Sequence, residues 1–217
     1  MPELSHVDPR SSPTREEAET RDVRLLDVAT RLFMERGFDG TSIDAVAEAA
    51  GVSKSTVYAR YHDKRDLFAA VLKGRIRRWL APVSAAAEAE ATETSSKSIR
   101  TTLHELSRYM VAYTLAPEAA ALQRILSAQA VQFPDLAKTA NESWLCAVRG
   151  VSSILSQSAA RGHIKVDDPE LAADMFLNLV LGHPKRFALY GIATDPKTVE
   201  LHRKAAVDFF LSGVRAK

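Results

Sequence analysis

At 217 residues, 46% of them hydrophobic, the chain can bury a core without covalent staples, and its single cysteine excludes an intramolecular disulfide framework or a cysteine-built zinc site. No opening segment has the basic-then-apolar pattern of a signal sequence, and no apolar run approaches the roughly 18 residues of a membrane span. The expectation is a cytoplasmic protein without membrane contact. A net charge of +2 names no polyanionic partner, but its distribution is uneven: residues 1–20 carry two basic and five acidic side chains, residues 21–80 twelve and eight, residues 81–217 fifteen and fourteen.

Residues 1–20, with Pro2, Pro9 and Pro13 and no sustained apolar period, read as a disordered arm. Leu25, Ala29, Leu32 and Phe33 then mark one face of a helix over about 21–36 that Gly37 ends. Thr41 followed by Asp44 resembles a capping box, opening a second helix with Ile43, Val46, Ala47 and Ala50 inward and Gly51 as its stop. Ser53 caps a short third helix, about 54–61, packed through Val57 and Tyr61. Asp63 with Asp66 repeats the cap signature before a fourth helix, 64–80, that Pro82 closes and whose Arg75, Arg77 and Arg78 read as a solvated face.

After an Ala-, Glu- and Ser-rich connection over 84–98, helices follow at about 97–115, 118–131, 135–161, 169–190 and 196–213. Asp168-Pro169 and Asp195-Pro196 place an N-cap just before a proline in the first helical position. No strand alternation or internal repeat is present, so the expected fold is all-α with eight or nine helices. It divides into the arm, a three-helix head over 21–67 and a helical body over 68–217.

Two short helices joined by Gly51-Val52-Ser53 have the lengths of a helix-turn-helix, whose second member enters the major groove of DNA. That member offers Lys54, Ser55, Thr56, Tyr58, Ala59 and Arg60, hydrogen-bonding or small types able to reach base edges and phosphates.

The run Gly37-Phe38-Asp39-Gly40-Thr41-Ser42-Ile43, with Ala50-Gly51-Val52-Ser53-Lys54-Ser55-Thr56-Val57-Tyr58, Tyr61, Lys64 and Leu67-Phe68, resembles the N-terminal domain of TetR/AcrR-type transcriptional regulators over residues 21–70. The resemblance implies a homodimeric repressor of a pseudo-palindromic double-stranded DNA operator, released by a small hydrophobic or amphipathic ligand. Control by a partner protein without a ligand is the alternative. It implies DNA contacts at Thr41 and Ser42, which the residues alone also read as caps, at Ser53, Lys54, Ser55, Thr56 and Tyr58, and at Lys64 as a phosphate contact. Arg60 departs from the usual residue type, leaving two readings: a phosphate bond or a pair with Asp63. His62 also replaces the commoner lysine.

Beyond about residue 80 the likeness is confined to helix order and a weak similarity of 119–190 to AefR-type C-terminal domains. Tyr109, Tyr113, Trp144, His183 and Phe187 are the candidates to line a ligand pocket, with Trp79 and Gln123 among further possible liners; a sensor predicts a cavity of at least about 300 Å³. Met175, Phe176 and Leu179 on one helix, with Val207 and Phe210 on the last, are the candidates for a twofold interface. The six histidines are scattered and none lies four residues from another, so neither a metal site, a cofactor site nor a nucleophile–base pair is expected.

Overall fold

The computed structural model describes residues 15–92 and 97–214, which form nine α-helices and no strand. They are α1 (Arg15–Arg36), α2 (Ile43–Ala50), α3 (Lys54–Tyr58), α4 (Lys64–Ala91), α5 (Ile99–Leu115), α6 (Pro117–Gln129), α7 (Pro134–Ala160), α8 (Pro169–Tyr190) and α9 (Pro196–Gly213). The chain divides into two compact units, Met1–Val71 and Leu72–Lys217, with the division inside α4. Helix α1 starts six residues before the start that apolar spacing suggests, and the sequence of Arg15–Thr20 is rich in good helix formers. The rest of the expected arm, residues 1–14, lies outside the described residues.

The first unit is held by Phe33, Phe38 and Phe68. The Phe33 and Phe68 rings meet edge-to-face with centroids 4.9 Å apart, and Phe38 meets Phe68 at 5.6 Å. Around them Leu25, Ala29, Val46, Val57 and Leu67 are buried. Helix ends follow the cap chemistry. Ser42 accepts from the Ala45 N–H at 3.1 Å, and Gly51 turns the chain out of α2 at φ +68°. Asp63 accepts from the Asp66 N–H at 2.9 Å while Asp66 accepts from the His62 N–H at 3.2 Å, a reciprocal box at the start of α4.

The second unit is built around α8, which packs against α5, α6, α7 and α9 and buries Ala173, Phe176, Leu177, Val180 and Leu181. Two features depart from the sequence pattern. Helix α4 does not close at Pro82 but runs through it to Ala91. Proline cannot donate to the carbonyl four residues back, Arg78, and the Tyr109 hydroxyl of α5 donates to that carbonyl instead at 2.8 Å. One turn earlier the Tyr113 hydroxyl donates to the Arg75 carbonyl, also at 2.8 Å.

The second feature is a buried arginine on α9. Arg203, 2% exposed, donates to Glu200 at 2.6 and 2.8 Å, to Ser107 Oγ at 2.7 Å and to the His104 carbonyl at 3.0 Å, fastening α9 to α5. The hydrogen bond from Arg203 pulls the Glu200 pKa from 4.5 to about 2. A carboxyl depressed in the folded state adds stability that is complete above its unfolded pKa and lost as pH falls through the folded value. Thermal unfolding of the wild type and of Glu200→Gln should therefore differ most at neutral pH. The gap is expected to narrow between pH 4.5 and 2; a gap that does not change with pH would rule out this linkage.

Candidate nucleic-acid interface and effector cavity

The helix-turn-helix places its functional candidates through three local devices. Ser53 caps α3 by accepting from the Thr56 N–H at 3.1 Å, and its hydroxyl lies 2.8 Å from that of Ser55 and 2.7 Å from that of Thr56. Val57 is fully buried and fixes the inner side of α3, which leaves Lys54, Ser55 and Tyr58 facing outward, Tyr58 at 51% exposure. Beyond Tyr58 the Arg60 N–H bonds the Val57 carbonyl three residues back at 3.0 Å. This tightening ends α3 three residues short of the expected Tyr61. Lys54 extends from α3 to Asp44 of α2, Nζ to Oδ2 2.6 Å, and that hydrogen bond raises its pKa.

Two sequence expectations are corrected by this geometry. Thr41 is buried, and its Oγ1 lies 2.8 Å from the Gly37 carbonyl and 3.1 Å from that of Leu32, so its hydroxyl closes the end of α1 and is not offered to a phosphate. The Arg60 guanidinium donates to Asp22 of α1 at 2.5 Å, and Asp63, its expected partner, accepts from Arg65 at 2.9 Å. The buried Tyr61 hydroxyl donates to the same Asp22 at 3.1 Å, and burial pushes its pKa up to about 12. The basic surplus of residues 21–80 does not lie in the head, because residues 21–71 carry eight basic and eight acidic side chains and the excess is Lys73, Arg75, Arg77 and Arg78.

Ser42 stays exposed at the start of α2. Lys64, half-buried at the start of α4, holds its ammonium 4.5 Å above the Phe38 ring and donates to the Asp39 carbonyl at 3.3 Å. A head with no charge excess must bind a polyanion through a few placed donors, and Ser42, Ser53, Lys54, Ser55, Tyr58 and Lys64 are of the right chemistry to do so.

Residues 25–71 match the model for bacterial regulatory proteins of the tetR family, and residues 101–213, half of the chain, match that for the AefR-like transcriptional repressor C-terminal domain. The chain belongs to the TetR family. Its head is 41% identical over 58 residues to the HTH-type transcriptional regulator AcrR of Shigella flexneri, covering 27% of each chain. It is 39% identical over 61 residues to the regulator RutR of Escherichia coli (strain K12), covering 28% of this chain and 29% of that one. The matched stretch thus spans less than a third of these curated relatives. A solved TetR-family structure from Mesorhizobium loti MAFF303099 superposes with a TM-score of 0.80 at 26% identity, covering 94% of this chain and 100% of that one. The flavonoid-responsive regulator FrrA does so at 0.66 and 27%, covering 92% and 99%. The chain is a TetR-family DNA-binding transcriptional regulator, as are the proteins of that family that it matches.

Within the second unit of this TetR-family regulator lies a cavity of about 200 Å³, lined by residues of α4, α5, α6, α7 and α8. That is smaller than the volume anticipated from sequence. Tyr113 and Trp144 line it, as do Trp79 and Gln123, but Tyr109, His183 and Phe187 do not. Tyr109 braces Arg78, and the His183 ring stacks 4.4 Å from that of His202 and lies 4.7 Å from that of Phe187. Desolvation lowers the His202 pKa. Sequence reading missed Arg75 and Lys185. The Arg75 side chain is 13% exposed, pairs with Glu118 and lies over the Tyr113 ring; the Lys185 ammonium lies 4.6 Å above the Trp144 ring. Both are charged, and an apolar-stripe criterion passes over them.

Of the five interface candidates, Phe176, Val207 and Phe210 are buried in the chain's own core, the Phe176 and Phe210 rings 5.1 Å apart. Their apolar period belongs to the inward faces. Met175 and Leu179 are exposed, and with Leu171 they form a stripe at four-residue spacing along α8; Leu201, Ala205 and Phe209 form another along α9. Leu201 and Phe209 are each 70% exposed.

Proposed function

We propose that this protein is a cytoplasmic homodimeric repressor that binds a pseudo-palindromic operator and leaves it when a small, largely apolar ligand enters the cavity of the second unit. The observation that carries the DNA part is the outward face of α3, where Lys54, Ser55 and Tyr58 stand clear of a core pinned by Val57. Ser42, Ser53 and Lys64 serve as phosphate contacts that set register, and Lys54 and Tyr58 read bases. On DNA, Lys54 exchanges Asp44 for a phosphate or a base edge, so part of its affinity is offset by the pair it gives up.

The paired stripes on α8 and α9 support the dimer, since contiguous apolar residues left exposed on two packed helices suit a twofold, self-complementary contact. Release requires the ligand to prefer the conformation that binds DNA poorly. A coupling of about 1–3 kcal/mol would weaken operator binding about 5- to 150-fold. A cavity of about 200 Å³, below the roughly 300 Å³ at which ligand sites usually begin, also leaves room for the alternative in which a partner protein, and no ligand, controls the regulator.

Selection of bound fragments from random and genomic DNA by the purified protein, followed by salt titration of the best site, tests the reading. A twofold-symmetric motif is expected; salt-sensitive binding with no sequence preference would refute it. In the same titration Lys64→Ala is expected to weaken all DNA alike and flatten the slope of log K against log salt by about one. Lys54→Ala and Tyr58→Ala should also change the ranking of sequences. If all three variants bind as the wild type does, the assigned face is wrong.

A further inference from the structure

The effector reading leaves the ligand's chemistry open, and the cavity lining constrains it. Its walls are apolar and aromatic, with Leu72, Ile76, Trp79, Leu122 and Trp144 among them, and its charged residues are Arg75 and Lys185, with no carboxylate. Every hydroxyl in the lining is already committed as a donor inside the protein. Tyr113 donates to the Arg75 carbonyl, Thr114 to that of Met110 at 2.8 Å and Ser143 to that of Thr139 at 2.6 Å. The Trp144 N–H is likewise spent on Asp174 Oδ1 at 2.7 Å. A neutral polar ligand would find few donors here.

The two cations differ. Arg75 is compensated by Glu118, although its Nε is buried with no acceptor. Lys185 has no carboxylate within 4.0 Å among the described residues and rests its ammonium on the Trp144 ring. Desolvation lowers its pKa, so the charged form is held there at a cost that an anion would offset. One uncompensated cation matches a monoanion better than a phosphate dianion. The volume of about 200 Å³ sets the size: an apolar cavity of about 150 Å³ takes benzene, so this one has room for a single ring and a small substituent, not a long acyl chain.

We propose that the cavity binds a monocyclic aromatic carboxylate, its carboxylate paired with the Lys185 ammonium and its ring in the apolar lining. This rests on the reading of the cavity as the effector site. The chain's two tryptophans, Trp79 and Trp144, both line the cavity, so intrinsic fluorescence reports on it directly. Benzoate, with benzyl alcohol and benzylamine as neutral and cationic counterparts, is titrated into the full-length protein.

Benzoate should change the emission saturably and bind about tenfold or more tighter than benzyl alcohol, the difference a charge-assisted hydrogen bond makes. Benzylamine should bind weakest. Lys185→Met should abolish the preference for benzoate while leaving benzyl alcohol binding intact, which also certifies that the cavity has folded, and Lys185→Arg should keep the preference. Equal affinities for benzoate and benzyl alcohol, a preference that survives in Lys185→Met, or no saturable response to millimolar benzoate would each overturn the proposal. Operator binding, measured alongside, separates the two ideas: benzoate that binds without weakening the operator complex upholds the ligand class and refutes the effector reading. Release of DNA by benzyl alcohol but not by benzoate does the reverse.

Discussion

Phe33→Ala is expected to unfold the DNA-binding unit while the second unit stays folded. Phe33 is fully buried and touches both other rings of the small aromatic core, edge-on to Phe68 at 4.9 Å and stacked with Phe38 at 6.0 Å. Truncating a buried phenylalanine costs about 3–5 kcal/mol from lost burial and the cavity left behind. A whole domain is commonly stable by only about 5–15 kcal/mol, and a unit ending at Val71 has a small core with which to absorb the loss. Hydrogen exchange by mass spectrometry reads the outcome. Amides of α1–α3 should lose protection and operator binding should vanish, while α5–α9 keep their protection. Loss of protection throughout would mean that the two units unfold as one cooperative body.

The order of the helices and most of their ends were legible in the sequence, and the reason is local. Ser53, Asp168 and Asp195 each cap the helix they were expected to cap, because a side-chain oxygen next to free N–H groups is decided within four residues. At α2 the cap is instead Ser42, one residue after the expected Thr41, whose hydroxyl is taken by carbonyls at the end of α1. Gly37 and Gly51 lie at φ +71° and +68°, where their lack of a Cβ is needed. Whatever depended on residues far apart was not legible. Pro82 looked like a helix end because the hydroxyl that accommodates it comes from Tyr109 on another helix. Arg60 had Asp63 as its obvious neighbour, and its partner is Asp22, reached only through the fold.

Those interface and cavity candidates that lie elsewhere were misplaced for a related reason. A helix with apolar residues on more than one side gives a 3.6-residue period that does not say which side meets its own core. Phe176, Val207 and Phe210 went inward, and the outward stripes fell to Leu171 and Leu201 beside them. Polar cavity liners are harder still. Arg75 and Lys185 carry the charges typical of a solvated face, and only packing reveals that one is 13% exposed and the other rests on an indole.

The double variant Leu201→Glu with Phe209→Glu is expected to convert a dimer into a folded monomer. Both side chains are 70% exposed and sit two turns apart on one face of α9, so glutamates there cost the isolated chain little. Across a twofold contact the same substitutions bury four carboxylates against an apolar surface, which the association free energy cannot absorb. Sedimentation velocity should show half the mass with unchanged helix content by circular dichroism. Operator affinity should fall by about 10²–10⁴, since the second head no longer binds as a tethered neighbour. A wild type that is already monomeric at micromolar concentration, or a double variant that remains dimeric, would move the interface elsewhere.

The proline in α4 gives the borrowed hydroxyl of Tyr109 a mechanical meaning. Elsewhere in an α-helix the backbone supplies its own stiffness, one bond per residue, whatever surrounds it. At Arg78 that bond is absent and its place is taken by a side chain on α5. The rigidity of this turn is therefore on loan from a neighbouring helix, and Tyr109→Phe would withdraw it without removing the ring. Any event that shifts α5 by an ångström or two would slacken α4 at one known point while every other turn held, which makes the proline a built-in joint whose lock lies on a different helix.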